Sequence, residues 1–333
     1  MTEPNKSISH CIAVLVAALL GQLPAHAAPR DAAEKVTWES ARCVGSPLQC
    51  EPMDAVGYLF APAAASAAVV VSHGSQGLDK NVFDNYVDPL NDIGIAVLVV
   101  DHYTPRGVGR VAEDMIAANA KGINVVNYDI DSLTAADWLR RTRNYKKIGH
   151  LGESFGAGAG LSLDKTSTQD TVTLLVRKTL RKWFSVKPMD AIVALYPFCG
   201  IRDEAKDKYL DTPLIIIDGD EDDATPAPLC QRYVPWMNER GARARIVVLP
   251  GQGHNFDFAH KRTYSPRNAH VAHCDILIER GGRVIDVPSG FAGADLGQVV
   301  AHCTAHGHSG GNSGNPRVAV PIWTEFLKMN LAP

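Results

Sequence analysis

KKIGHLGESFGAGAG, residues 146–160, sets five glycines within twelve positions around a single Glu-Ser-Phe triplet. IGHLG is a short apolar run of the kind that makes a strand buried on both faces, and the small residues after it suit a helix. Gly152-Glu153-Ser154-Phe155-Gly156 then falls on a sharp strand-to-helix turn. A serine at the crest of such a turn has its hydroxyl lifted above the sheet. Residues two positions away must be tiny, because their side chains would strike the adjoining strand and helix. Gly158 and Gly160 are expected to let the helix pack close to the sheet. A phosphate-binding loop would need Gly-Lys-Ser/Thr at its end, which is missing. A dinucleotide fingerprint counted from Gly156 and Gly158 would need glycine where Leu161 stands.

The flanking sequence repeats the strand–helix rhythm. AAVVVSHGS (67–75), IGIAVLVVD (93–101), AIVALYPF (191–198), PLIIIDGD (213–220) and ARIVVLPG (244–251) are short runs rich in Val, Ile and Leu without strict alternation. They read as strands of a parallel sheet covered on both faces. NVVNYDIDSLTAADWLRR (124–141) has helical spacing, and the order as a whole predicts a doubly wound α/β architecture with helices on both faces. VTWES and AVGYLFAP are expected as antiparallel strands at one edge, and PRVAVPIWTEFLKMNL (316–331) as a closing helix. From about 258 to 315 the chain is rich in Gly and His and lacks periodicity, so it reads as an irregular excursion within a single domain covering 28–333.

With 46% hydrophobic and 21% charged residues and a formal net charge of −3, the 333-residue chain has the makings of a sizeable core and no basic field for nucleic acid. CIAVLVAALLG (11–21) is too short to span a bilayer and precedes Ala25-His26-Ala27, a small-x-small site. Residues 1–27 are therefore expected to be a signal peptide, leaving an exported, periplasmic or secreted protein with no stable membrane insertion. Cys11 would leave with it. The six remaining cysteines, Cys43, Cys50, Cys199, Cys230, Cys274 and Cys303, are an even set in an oxidising compartment, which points to disulfides. Sequence proximity favours Cys43–Cys50.

A serine nucleophile needs a base, and the base needs a carboxylate to fix its tautomer. Both follow in order, each after a predicted strand: Gly219-Asp220-Glu221-Asp222-Asp223, then Gln252-Gly253-His254-Asn255-Phe256. Carboxyl ends of strands are where open α/β sheets gather their functional groups. The candidate set is Ser154, His254 and Asp222, with Asp223 as the second choice of acid; His260 is not at a strand end. Donors for an oxyanion are expected from the backbone N–H of Phe155 and from the loop Ser72-His73-Gly74-Ser75-Gln76-Gly77, with Ser75 favoured. His73 is expected to pack and hydrogen bond beneath that loop.

The set HGSQG (73–77), GESFG (152–156), GDEDDATP (219–226) and PGQGHNFD (250–257) resembles the dienelactone hydrolase family of the α/β-hydrolases, over about residues 60–258. The resemblance implies an α/β-hydrolase fold and hydrolysis of a small-molecule ester or lactone by Ser154, Asp222 and His254, with no metal or organic cofactor. The enzymes that name the family use a cysteine nucleophile, whereas this chain has Ser154, which favours a more general carboxylic-ester hydrolase. Asp101-His102-Tyr103-Thr104-Pro105-Arg106-Gly107 looks like a segment common in exported members, and Arg106 is a candidate to hold a substrate carboxylate, beside the alternative of a structural arginine. The resemblance also implies Cys199–Cys230, a cysteine after the sixth strand with one after the acid loop, which leaves Cys274–Cys303.

Other readings stay open. The same triad would serve a peptidase or amidase, and a hydrolase fold can carry a non-catalytic binding protein. His270, His273 and Cys274 with His302, Cys303, His306 and His308 could form a zinc site, though their spacing fits no strong template. TVTLLVRKTLRKWF (171–184) reads as a helix with a basic face, more consistent with a solvated face than with binding to anionic surfaces.

Overall fold

The computed structural model describes residues 33–45, 47–109, 115–258, 263–309 and 315–332. The expected signal peptide and His260 lie outside them. An N-terminal hairpin, β1 (Glu34–Val44) and β2 (Gln49–Phe60), leads into β3 (Ala67–Ser72). Then come α1 (Lys80–Val82), a π-helical turn (Phe83–Val87), α2 (Asp88–Asp92), β4 (Ile95–Asp101), α3 (Met115–Ala120), α4 (Val125–Thr142), β5 (Lys147–Glu153), α5 (Ser154–Leu163) and α6 (Thr166–Leu180). The second half holds β6 (Ala191–Leu195), β7 (Ile201–Asp203), β8 (Pro213–Gly219), α7 (Ala227–Asn238) and β9 (Arg243–Leu249). After these come β10 (Thr263–His270), β11 (Ile276–Ile278), β12 (Val284–Asp286), β13 (Ala292–Gly293), α8 (Leu296–Cys303), β14 (Ala305–Ser309) and α9 (Val320–Leu331).

Eight strands form one sheet in the order β1-β2-β4-β3-β5-β6-β8-β9. β2 runs antiparallel to both its neighbours, and every pairing from β4 to β9 is parallel. This is the α/β-hydrolase fold. The central strands are buried along their whole length, which is why they read as unbroken apolar runs. Successive residues serve opposite faces: Ala68 and Val70 pack with Ile130 and Leu133 of α4, Val172 of α6 and Met237 of α7. Val69 and Val71 pack with Leu90 of α2 and Trp323 and Leu327 of α9.

Local signals set the helix ends. Asn124 caps α4 by accepting from Asn127 N–H at 3.0 Å. The helix expected over 171–184 instead begins at Thr166 and stops at Leu180, where Arg181 turns left-handed (φ 50°), so Lys182 and Trp183 lie beyond it. The excursion is less irregular than its composition predicts. β11, β12 and β13 join β7 in a four-stranded sheet, with β11 parallel to β7, and β10 pairs with β14. Three disulfides close Cys43–Cys50, Cys199–Cys230 and Cys274–Cys303, the expected pairing.

Candidate active site

Ser154 is the first residue of α5 and has φ 47°, the left-handed backbone that a sharp elbow imposes on a non-glycine residue. Its flanking glycines are steric necessities. A Cβ on Gly152 would lie 2.3 Å from the carbonyl oxygen of Gly156, and one on Gly156 would lie 2.2 Å from that of Ser72. Gly160 meets His150 as close helix–sheet packing requires, but Gly158 faces open space, contrary to the role expected of it.

The turns after β8 and β9 bring the other candidates to the same strand ends. Ser154 Oγ lies 3.0 Å from His254 Nε2, and His254 Nδ1 lies 2.8 Å from Asp222 Oδ2. The Asp222 carboxylate fixes the tautomer: Nδ1–H donates to it, and Nε2 is left to accept from the serine hydroxyl. The other carboxylate oxygen accepts from the backbone N–H groups of Ala224 (2.8 Å) and Thr225 (2.9 Å). Thr225 Oγ1 sits 3.0 Å from Asp222 Oδ2 and 3.1 Å from both His254 Nδ1 and the carbonyl oxygen of Tyr196. Asp223, the alternative acid, is partly exposed and lies 3.9 Å from His270 Nδ1.

Electrostatics follow this geometry. Burial would raise the Asp222 carboxyl, but the His254 charge and hydrogen bonds outweigh it and hold it below the usual range. Burial would lower His254, yet Asp222 overrides burial and raises it. Asp218, near the end of β8, is pushed well up by burial and by the charge of Asp222.

The loop after β3 runs beside the serine: a Cβ on Gly74 would come within 3.2 Å of Ser154 Cβ. Gly74 N–H donates to Glu153 Oε1 at 2.9 Å, so the next amide along that loop belongs to Ser75. Phe155 N–H lies in the first turn of α5, where helical amides have no intrahelical acceptor. His73 is buried beneath the loop, with Nδ1 2.8 Å from Gly74 O and its ring edge-on to Tyr103 at 4.6 Å.

The structure bears on two of the alternatives left open by the sequence. Arg106 is not at a substrate pocket. Its side chain is fully buried, with Nη1 donating to Asp131 Oδ2 at 2.7 Å and to His102 O at 2.9 Å, and Nη2 donating to Asp131 Oδ1 at 3.1 Å. A guanidinium under the 101–107 loop neutralises a helix carboxylate there instead of meeting ligand. The zinc reading loses its thiolates, because Cys274 and Cys303 are bonded to each other; the side chains of His306 and His308 lie outside what is described.

The sequence reading missed Glu153, Asp257, Tyr86 and Tyr196, all buried beside the serine and histidine. Tyr196 takes φ 41° directly after β6, and its ring stands edge-on to His254 at 4.9 Å. One available signal was Glu153 itself, a carboxyl at the buried end of β5.

No family model matches the chain. Uncharacterized proteins from two strains of Mycobacterium tuberculosis are 29% identical over 199 residues, 56% of this chain and 63% of theirs, so the chain spans less than two thirds of the length of these relatives. Among solved structures, an esterase of Pyrococcus furiosus is 16% identical with TM-score 0.45, over 67% of this chain and 87% of that one. Dienelactone hydrolase of Anabaena variabilis is 17% identical with TM-score 0.41, over 66% and 88%. Thermogutta terrifontis esterase 2, phosphonylated by cyclosarin, is 17% identical with TM-score 0.47, over 68% and 85%. Strand order, the antiparallel β2 and the serine on the turn between β5 and α5 are what give this chain the α/β-hydrolase fold.

Proposed function

We propose that the protein is a serine hydrolase that cleaves a small-molecule carboxylic ester or lactone through an acyl-enzyme. The observation that carries this reading is the continuous contact Ser154 Oγ–His254 Nε2–Asp222 at 3.0 and 2.8 Å, on a serine held in the elbow conformation. His254 Nε2 takes the hydroxyl proton as Ser154 Oγ attacks the carbonyl carbon. Asp222 stabilises the imidazolium so formed. The amides of Ser75 and Phe155 donate to the oxyanion. His254 returns the proton to the leaving alkoxide, the C–O bond breaks, and the acyl group stays on Ser154. Water then attacks, giving its proton to His254, and the acid departs as Ser154 recovers its own. In a lactone the leaving hydroxyl remains tethered to the acyl group. We also propose that residues 1–27 direct export and are cleaved after Ala27; three disulfides in the mature region are compatible with an oxidising compartment.

A fluorophosphonate probe tests the chemistry. The expected result is labelling of Ser154 alone, found by peptide mass spectrometry and lost in Ser154→Ala, with turnover of esters or lactones in a substrate panel. Turnover of amides alone would replace the ester reading by a peptidase or amidase. Folded protein that neither labels nor turns over any member of the panel would overturn the proposal.

A further inference from the structure

Behind the candidate nucleophile lies an acid pair that acyl transfer as described does not use. Glu153 and Asp257 are 2% and 4% exposed and share two buried phenols. Tyr86 OH lies 2.9 Å from Glu153 Oε2 and is in short contact with Asp257 Oδ2. Tyr196 OH lies 3.1 Å from Glu153 Oε2 and 2.7 Å from Asp257 Oδ1. Two phenol protons can serve only two of these four oxygen–oxygen contacts. A proton on one carboxyl serves a third contact, whereas with both ionised lone pairs would face each other at two contacts in a dry site. Among the described residues, the groups facing the pair are Tyr86 from the π-helical turn, Tyr196 after β6, the Gly74 amide after β3, and His254 on Asp257's own loop. None is a permanent cation that could hold two negative charges.

We propose that Glu153 and Asp257 form a one-proton carboxyl pair that positions the site: neutral Glu153 anchors the Gly74–Ser75 loop where the oxyanion forms, and ionised Asp257 stabilises protonated His254. With the proton on Glu153, one orientation serves the three shortest of the four contacts. Glu153 Oε2–H donates to Tyr86 Oη, Tyr86 O–H donates to Asp257 Oδ2, and Tyr196 O–H donates to Asp257 Oδ1. Glu153 Oε1 stays free to accept from Gly74 N–H at 2.9 Å. Burial first, and then the partner's charge, raise the Glu153 carboxyl to about 8. Burial raises Asp257 to about 6, so the proton rests on Glu153 at neutral pH. Asp257 adds to the negative potential that favours the charged form of His254. Asn85 Nδ2 donates to Asp257 O at 2.6 Å and ties the histidine loop to the same π-helical turn.

This inference deepens the proposed hydrolase reading and rests on it. The test compares wild type with Glu153→Gln, Glu153→Ala and Glu153→Gln/Asp257→Asn, using p-nitrophenyl acetate turnover against pH, melting, and infrared difference spectra. Glu153→Gln mimics the neutral acid, so kcat/KM at pH 7 is expected within about threefold of wild type. Glu153→Ala frees the Gly74 amide, and kcat is expected to fall at least about tenfold with KM little changed, since the oxyanion forms only in the transition state. Adding Asp257→Asn to Glu153→Gln is expected to move the acid limb of kcat/KM to lower pH, a shift that loss of packing alone would not produce. Two results would overturn the pair: Glu153→Gln as impaired as Glu153→Ala, or an acid limb unmoved in the folded double variant. The infrared arm needs no turnover. A protonated-carboxyl band lost in folded Glu153→Gln supports the pair, and an unchanged band sinks it. Wild type that fails to label at Ser154 would instead defeat the hydrolase reading and leave the infrared result to decide the pair.

Discussion

Among the described residues, two Ser-His-Asp constellations have nearly the same dimensions. Ser154, His254 and Asp222 are linked at 3.0 and 2.8 Å. Ser72, His102 and Asp131 are linked at 3.1 and 2.9 Å through the same ring nitrogens, Nε2 to serine and Nδ1 to aspartate. Only the first has the surroundings that the proposed chemistry needs, and the reasons are not distances. Ser72 is an extended residue at the end of β3 and is fully buried. Asp131 is already paired with Arg106, whereas Asp222 faces His254 and backbone amides. The two histidines accordingly respond in opposite senses. Burial, reinforced by Arg106, lowers His102 despite Asp131, while Asp222 raises His254 against burial. A triad needs a carboxylate with uncommitted charge and a serine that substrate can reach; one that lacks both is a structural hydrogen-bond network.

The largest effect tests this contrast at the acids. Asp222→Asn presents an amide to Nδ1 and removes the charge that stabilises imidazolium, so kcat is expected to fall about 10⁴-fold with little change in melting. A milder fall, within tenfold, would mean that Thr225 or Asp218 supplies the support credited to Asp222. The equivalent intervention in the buried network is Arg106→Met, which strips Asp131 of its cation. Breaking such a buried pair costs about 3–5 kcal/mol, readable as a lowered urea midpoint. In the folded fraction, His102 should titrate at higher pH by NMR, because the Arg106 charge that lowers it is gone. If His102 does not move, Arg106 is not what separates the two constellations.

What the sequence disclosed follows from how far each feature reaches. Six parallel strands were legible because runs such as IAVLVVD and AIVAL are buried on both faces and carry no polar residue before their ends. The elbow was legible because its Gly-x-Ser-x-Gly spacing is local, although Gly152 answers to a clash within the turn and Gly156 to the carbonyl of Ser72 on β3. Asp222 and Asp223 are adjacent in one acidic turn, so only the approach of His254 separates them. β7, β11, β12 and β13 have two or three residues each, too few for any period to register. Arg106 looked available because a lone arginine in a loop does not announce that Asp131, on α4, will meet it. Glu153 and Asp257 belong to different strand ends, and only the closed sheet brings them to shared tyrosines.

Acidification separates the two regions again. His73 and His150, beside the buried network, are lowered to about 3, His73 by burial and then by His102, and His150 likewise. Their folded values lie below the unfolded one, so the unfolded chain takes up protons first. Stability should fall as pH drops below about 6.5, by about 1.4 kcal/mol per pH unit for each histidine. His254 runs the other way: its raised value contributes stability that is present below the unfolded value and lost as pH rises through the folded one. Its activity signature is an acid limb with its midpoint above pH 6.5, since protonated His254 cannot accept from Ser154. Urea titrations at pH 7, 6 and 5 beside a kcat/KM profile would show both. Stability unchanged to pH 5 would mean that the buried histidines titrate in the folded protein as they do in the unfolded chain, and so reach solvent.

Ser72→Ala gives the smallest and most discriminating effect. Asp131 holds the proton of His102 on Nδ1, so His102 Nε2 must accept, and Ser72 O–H donates to it. His150 Nε2, 3.0 Å away, must then be the donor to Ser72 Oγ, and its Nδ1 has no partner among the described residues. Ser132 Oγ at 3.1 Å supplies a second donor. The Ser72 hydroxyl thus gives one hydrogen bond and accepts two, with no lone pair or proton left for another molecule. Removing it strands two ring nitrogens and should cost about 1–2 kcal/mol, while fluorophosphonate labelling of Ser154 keeps its wild-type rate. A folded Ser72→Ala protein that labels much more slowly would break the comparison, because the buried network would then be setting the geometry of the His73–Gly77 loop and acting on catalysis through it.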